Sequence, residues 1–319
     1  MSLTFLTQQF YIYIGFFLIV TGVFGSLFNI TVFLSLKTFR QNTSVFYLTI
    51  MSFVNIGQLL FGLFSRVLIS GFAIDWSATS IVFCKLRLTL LNLCSLVSYT
   101  CLCLAIFDQY LATSTRPRWQ QWSSLKTAYR LTLLFTFIWI LHLIPYPIFL
   151  QHVTSRTTGK TVCSVINDAV SVYRNYYVTL VLVGYLPDII TVVFGVLAYN
   201  NIRQIAYRTL PLVRRELDKQ LTVMVFAQVI VNLVTNTPCV TMIAITYSMG
   251  TIQDSSVLEI TQFVSNATTI IFYSYFSSSF YIYICVSERF RRQFIYVISQ
   301  MHPYRWQQQI KPNNQIVPT

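Results

Sequence analysis

Seven stretches without Asp, Glu, Lys or Arg dominate this chain, and they limit its fold more than any motif does. They run 1–36, 41–65, 88–107, 131–155, 175–202 (broken once by Asp188), 220–253 and 260–287. Crossing a hydrocarbon core of about 30 Å takes roughly 20 apolar residues as a helix, so each stretch is long enough to cross once. A helix also satisfies its own backbone polar groups, which lipid cannot do. Only 10% of the 319 residues are charged, against about 25% in ordinary soluble domains. Too few charges exist to cover a water-facing surface. The chain reads as an all-α membrane protein, a bundle of seven transmembrane helices.

The net charge of +13 raises nucleic acid as a partner, but its distribution argues against one. Basic residues cluster between the apolar runs, and no soluble basic domain holds them. Lys37 and Arg40 follow the first run while nothing basic precedes it, so the positive-inside rule puts the N-terminus outside. On that topology the cytoplasmic segments carry 16 of the 22 basic residues and four of the nine acids (Asp108, Glu216, Asp218, Glu288). The first run is too long for a cleavable signal peptide and lacks a basic leader. The expected organisation is a short extracellular N-terminus at 1–9, the seven-helix domain at 10–287, an amphipathic surface helix at 288–299 and a disordered tail at 300–319. In the surface helix Phe290, Phe294, Val297 and Ile298 share a face, with Arg289 and Arg292 turned away.

The seven cysteines form no metal pattern, and five of them read as small buried hydrophobes. His142, His152 and His302 are too scattered to assemble a site. No metal, no cofactor and no enzymatic activity are expected. Transporters tend to show internal repeats and paired broken helices; neither occurs here, which leaves a transporter as the lesser alternative.

The third run closes with AIFDQYLATS, placing Asp108-Gln109-Tyr110 at a helix end. Cys84 stands twenty-five residues before Gln109, and Cys163 lies between the fourth and fifth runs. Gly25 and Asn29 mark the first run, Trp139 the fourth and Pro187 the fifth. The sixth has Thr235-Asn236-Thr237-Pro238; the seventh ends Ser279-Phe280-Tyr281-Ile282-Tyr283, then Phe290-Arg291-Arg292-Gln293-Phe294. Over about residues 10–299 this set resembles the class A, rhodopsin-like, G-protein-coupled receptors. Their corresponding motifs are Asp-Arg-Tyr, Cys-Trp-x-Pro, Asn-Pro-x-x-Tyr and Phe-Arg-x-x-Phe.

The resemblance implies a plasma-membrane receptor with a Cys84–Cys163 disulfide, an extracellular ligand and a heterotrimeric G protein as partner. A decayed, non-signalling relative is the second reading. Gln109 replaces the family's Arg, so it cannot form the resting-state ion pair with Asp218, which matches the acidic position twenty residues before Pro238. A Gln109–Asp218 contact would be a neutral–charged hydrogen bond, and raised basal activity is expected. Asn55 and Ser279 stand where the family has Asp and Asn, while Ser98 is kept. The sodium site therefore loses its charge, and Asn55 is expected to pair with Asn29. Asp108, Tyr110, Asn236, Pro238 and Tyr283 complete the implied activation set.

The resemblance also limits the ligand. A retinal protein needs a Lys where Tyr273 stands, and an amine receptor an Asp where Leu91 stands. Arg66 and Arg87 lie in the outer part of the second and third helices, where an arginine either marks a site or snorkels to headgroups. Facing inward, they favour an anion such as a peptide C-terminus, with Asn92, Ser95, Gln262 and Asn266 nearby. The segment QHVTSRTTGKTVCSVIND alternates β-formers around Thr158-Gly159 and reads as a hairpin, a lid usual in peptide receptors. A peptide is the expected ligand. Asp188, beside Pro187, either carries a proton or answers the carbonyls that the kink frees; His142 reads as a packed histidine. The basic cytoplasmic surface also suits anionic lipid.

Overall fold

The computed structural model describes residues 3–114, 116–154, 161–205, 212–248 and 255–301, with the backbone alone at 37–38, 204–205, 212–219, 255 and 300–301. Among the described residues seven helices are long and apolar enough to cross a membrane: α1 Leu3–Ser35, α2 Thr43–Gly71, α3 Ile81–Thr113, α4 Leu125–Phe149, α5 Asp168–Arg203, α6 Gln220–Ser248 and α7 Ser256–Val286. The chain is a multi-pass membrane protein of the expected class. Residues 3–9, expected as a tail, are helical. Gln8 Nε2 donates to Gly71 O at 2.8 Å, and Phe10 packs on Phe263, so this turn docks on α2 and α7.

Polar residues start the helices where the chain turns back. Asn42 Oδ1 accepts from the Ser44 and Val45 amides, Ser80 Oγ from Phe83 and Ser124 Oγ from Thr127; each takes up an amide that the first turn leaves unpaired. α3 forms the hub, packed against α2, α4, α5 and α6. More than half of its most apolar window is buried (56%), against 11% for α4, which lies at the periphery. Helices approach closely where a side chain is missing: a Cβ on Gly22 would fall 2.5 Å from Leu59 Cδ1 and 2.7 Å from Ser277 Cβ.

Between α4 and α5, strands β1 Leu150–Thr154 and β2 Thr161–Val165 pair antiparallel, with His152 opposite Cys163. The expected hairpin is present; its Thr158-Gly159 turn lies outside the described residues. A Cys84–Cys163 disulfide ties β2 to the start of α3, and the His152 ring meets Ser77 O at 2.8 Å. Of the five free cysteines, Cys94, Cys101, Cys103 and Cys239 are buried or half-buried, but Cys285 is exposed, against expectation. After α7 the segment Glu288–Met301 is helical. Phe290 is buried against Phe33 and Tyr283, Phe294 packs on Phe28 and Phe280, and Ile298 is exposed.

Candidate functional site

At the hairpin end, α2, α3, α5, α6 and α7 enclose a cavity of about 250 Å³ lined by Arg66, Arg87 and Arg174. Local backbone geometry places two of these arginines. Arg66 sits between two π-helical stretches, Leu59–Phe64 and Val67–Gly71, and Arg174 opens a third, Tyr173–Tyr185. The wider turn rotates side chains away from the ordinary α-helical register, and such turns concentrate at functional sites. Thr179 Oγ1 donates 3.0 Å to Arg174 O, five residues back.

The three arginines line the cavity together. Arg66 is exposed and lines the cavity together with Tyr273; the Tyr273 and Tyr11 hydroxyls interact with its guanidinium, and the Tyr11 hydroxyl donates to Asn266 Oδ1 at 3.0 Å. Gly62 makes room for this: a Cβ there would lie 2.6 Å from the Tyr273 hydroxyl oxygen. Arg87 Nη1 donates to Ser77 Oγ at 3.2 Å, while its Nε is buried without a partner among the described residues. Arg174 Nε donates to Asn175 Oδ1. The ion pair formed among the described residues is Arg292–Glu288, at the other end of the bundle. No described carboxylate forms an ion pair with the three guanidinium groups; Asp75 acts on Arg87 from a distance, through the Ser77 hydroxyl that both contact. Converging cations repel one another, a cost that an anion would offset.

Of the sequence candidates, Arg66, Arg87, Leu91, Asn92 and Ser95 line the cavity. Asn92 and Ser95 spend a donor on Leu88 O and Leu91 O of their own helix, at 2.7 and 3.1 Å. Gln262 and Asn266 do not line it; Gln262 is exposed and Asn266 connects only through Tyr11. Arg174, Tyr273 and Asn236 belong to the lining and were not expected there. Arg174 stood one residue outside a charge-free run, so only the π-helical turn reveals where it points.

Beneath the cavity, Asp188 joins α5 to α6. Its carboxylate accepts from Asn232 Nδ2 at 2.7 Å, Asn236 Nδ2 at 3.3 Å and Thr237 Oγ1 at 3.3 Å. These are side chains of α6, not carbonyls freed on α5, and they flank Pro238, which lies inside α6. Asn236 also donates to Val183 O and Gly184 O of the wide α5 turn. His142 lies edge-on to Trp139 and meets the Tyr173 hydroxyl at 3.4 Å. Further along α3, buried Tyr99 stacks on Tyr275 at 5.6 Å, with Phe276 edge-on, and these rings fill the bundle.

Interhelical polar contacts continue past the rings. Ser98 Oγ donates to Asn55 Oδ1 at 2.7 Å, and Asn29 Nδ2 to Ser279 Oγ at 3.1 Å. The expected Asn29–Asn55 pair is not formed; each amide finds a nearer serine hydroxyl on another helix. Tyr283 is fully buried, and its hydroxyl has no hydrogen-bond partner among the described residues.

At the far end Asp108 accepts from Ser44 Oγ at 2.7 Å and Ser123 Oγ at 2.6 Å. Gln109 Nε2 donates to Ser44 Oγ at 2.7 Å, and Thr222 Oγ1 donates to Gln109 Oε1 at 2.6 Å. Gln109 thus bridges α2 and α6 without charge. The Asp218 side chain lies outside the described residues, one turn from Thr222. Tyr110 packs on Phe194 of α5 and on Trp119. No family model matches this chain, and no curated protein matches it.

Proposed function

We propose that this chain is a divergent class A G-protein-coupled receptor of the plasma membrane, N-terminus outside and C-terminus inside. It senses an anionic extracellular ligand, a peptide first among them, and passes a movement of α6 to a heterotrimeric G protein. One observation carries the ligand reading: Arg66, Arg87 and Arg174 line a single cavity without a described carboxylate to pair them. At about 250 Å³ the cavity is smaller than the ~300–1,000 Å³ of drug-sized sites. It suits a terminal carboxylate with one side chain, the rest of a peptide lying against the hairpin.

Seven spanning helices are compatible with a receptor or a transporter. The stacked Tyr99, Tyr275 and Phe276 rings favour a receptor, because they fill the path a solute would take. The Asp188 contacts around Pro238 support α6 as the moving element, since ligand binding at Asn236 acts directly on them.

The test is a peptide-library screen in cells reporting several G-protein pathways, with Arg66→Ala and Arg66→Lys in parallel. Hydrogen bonds to charged groups contribute about 1.5–3 kcal/mol, so Arg66→Ala should weaken the response about tenfold or more, and Arg66→Lys less. An unchanged response in Arg66→Ala rejects the anion site. Solute uptake with no G-protein response puts the protein among transporters.

A further inference from the structure

The outward side of α3 lines a second space, unrelated to the cationic cavity. Leu96, Cys103 and Phe107 of α3, Trp139 of α4, and Ile190 and Phe194 of α5 border an apolar hollow of about 310 Å³. Phe107 also borders another hollow of about 380 Å³, completed by Leu111, Arg118, Trp119 and Trp122. The two meet at Phe107. On α3 the positions 96, 103, 107 and 111 keep helical spacing and share one face. Leu96 to Leu111 spans about 22 Å at roughly 1.5 Å per residue, longer than the ~15 Å of one leaflet's hydrocarbon. Leu96 and Leu111 are themselves buried, while Cys103 and Phe107 between them are half-buried, so an acyl chain of one leaflet would lie in the two hollows against Cys103 and Phe107.

The two ends of the track differ in chemistry. The inner part asks for no polar partner, because the Thr100 hydroxyl already accepts 2.9 Å from Trp139 Nε1. At the mouth Trp122 is 67% and Trp119 39% exposed, and tryptophan collects at the membrane–water boundary. Arg118 lines the same mouth, is exposed and makes no ion pair among the described residues; exposed Arg116 stands beside it. A cation over an apolar slot complements an amphiphile with a negative head and a hydrocarbon tail.

We infer that this track binds an anionic phospholipid, its phosphate on Arg118 and one acyl chain along α3 between α4 and α5. The site goes beyond the receptor reading and holds whether or not the chain couples to a G protein. Its occupant touches the switch region: Trp119 lies edge-on to Tyr110 at 5.7 Å, and Tyr110 packs on Phe194 at 5.6 Å, next to Gln109.

The experiment is native mass spectrometry of the full-length protein in detergent, offered equal amounts of dioleoyl phosphatidylserine and dioleoyl phosphatidylcholine. Phosphatidylserine adducts should predominate. Arg118→Ala should lower that preference about fivefold, the effect of one basic residue near an anionic lipid surface. Trp122→Ala, also at an exposed position, should reduce adducts of both lipids. Phosphatidylserine carrying brominated chains should quench tryptophan fluorescence more in the wild-type protein than in Arg118→Ala. Equal retention of the two lipids, an unchanged preference in Arg118→Ala, or a protein dimer in place of lipid adducts overturns the inference.

Discussion

Thr222 on α6 donates a 2.6 Å hydrogen bond to the Gln109 carbonyl on α3. The other end of the same amide donates 2.7 Å to Ser44 on α2. A neutral side chain therefore clasps three helices where the class A pattern would place an arginine and its ion pair.

That clasp sets the expected basal activity. A neutral hydrogen bond contributes about 1 kcal/mol, so on the receptor proposal Thr222→Val should raise basal G-protein nucleotide exchange about fivefold. Gln109→Arg should lower it, by bringing a charge within reach of Asp108. An exchange assay in which the wild-type protein is more silent than Gln109→Arg contradicts this account.

Asp188 faces donors only, from Asn232, Asn236 and Thr237. Asp188→Asn removes the charge and turns one donor towards others. The expected loss of stability is about 1.5–3 kcal/mol, in line with hydrogen bonds to charged groups. Thermal unfolding of the detergent-purified protein measures it. Combined with Asn236→Ala, the loss should be smaller than the sum of the two single losses, because both remove one shared contact. Additive losses would show that the contact carries no stability.

Gly62 leaves space for the hydroxyl of Tyr273, which lines the cavity with Arg66. In Gly62→Ala the new Cβ would sit 2.6 Å from that oxygen, and overpacking of this kind costs about 1–3 kcal/mol. The ring must move away from Arg66. On the receptor proposal, half-maximal response should then shift to higher ligand concentration, about tenfold, while basal exchange through the distant Gln109 clasp stays at the wild-type level. An unshifted dose–response curve would separate Tyr273 from the ligand site.

Topology is open to a direct check. Epitope tags at the two ends should be found on opposite faces of intact cells, the N-terminal tag outside. Both tags on one face would remove the basis of the receptor proposal, because an odd number of crossings cannot leave the ends together.

The seven helices were legible because burying a charge in hydrocarbon is costly, so uncharged length alone marks each crossing. The hairpin was legible from its alternating β-formers. The pairing of Asn29 and Asn55 was misjudged for a physical reason. Spacing tells which residues reach the bundle interior, but not which of several hydroxyls and amides at similar depth lies nearest. Ser279 and Ser98 lie nearer.

By itself the sequence determined the membrane class, the number of helices and the grouping of basic residues on one side. Each follows from a one-dimensional pattern of charge and hydrophobicity acting against a slab of lipid. Only the tertiary structure decided that Arg174 joins Arg66 and Arg87 around one cavity, that Asp188 is held by α6, and that Gln109 closes on Thr222. These depend on the rotation of each helix about its own axis. Wide π-helical turns and glycine contacts set that rotation, and side chains far apart in the chain meet only once it is fixed.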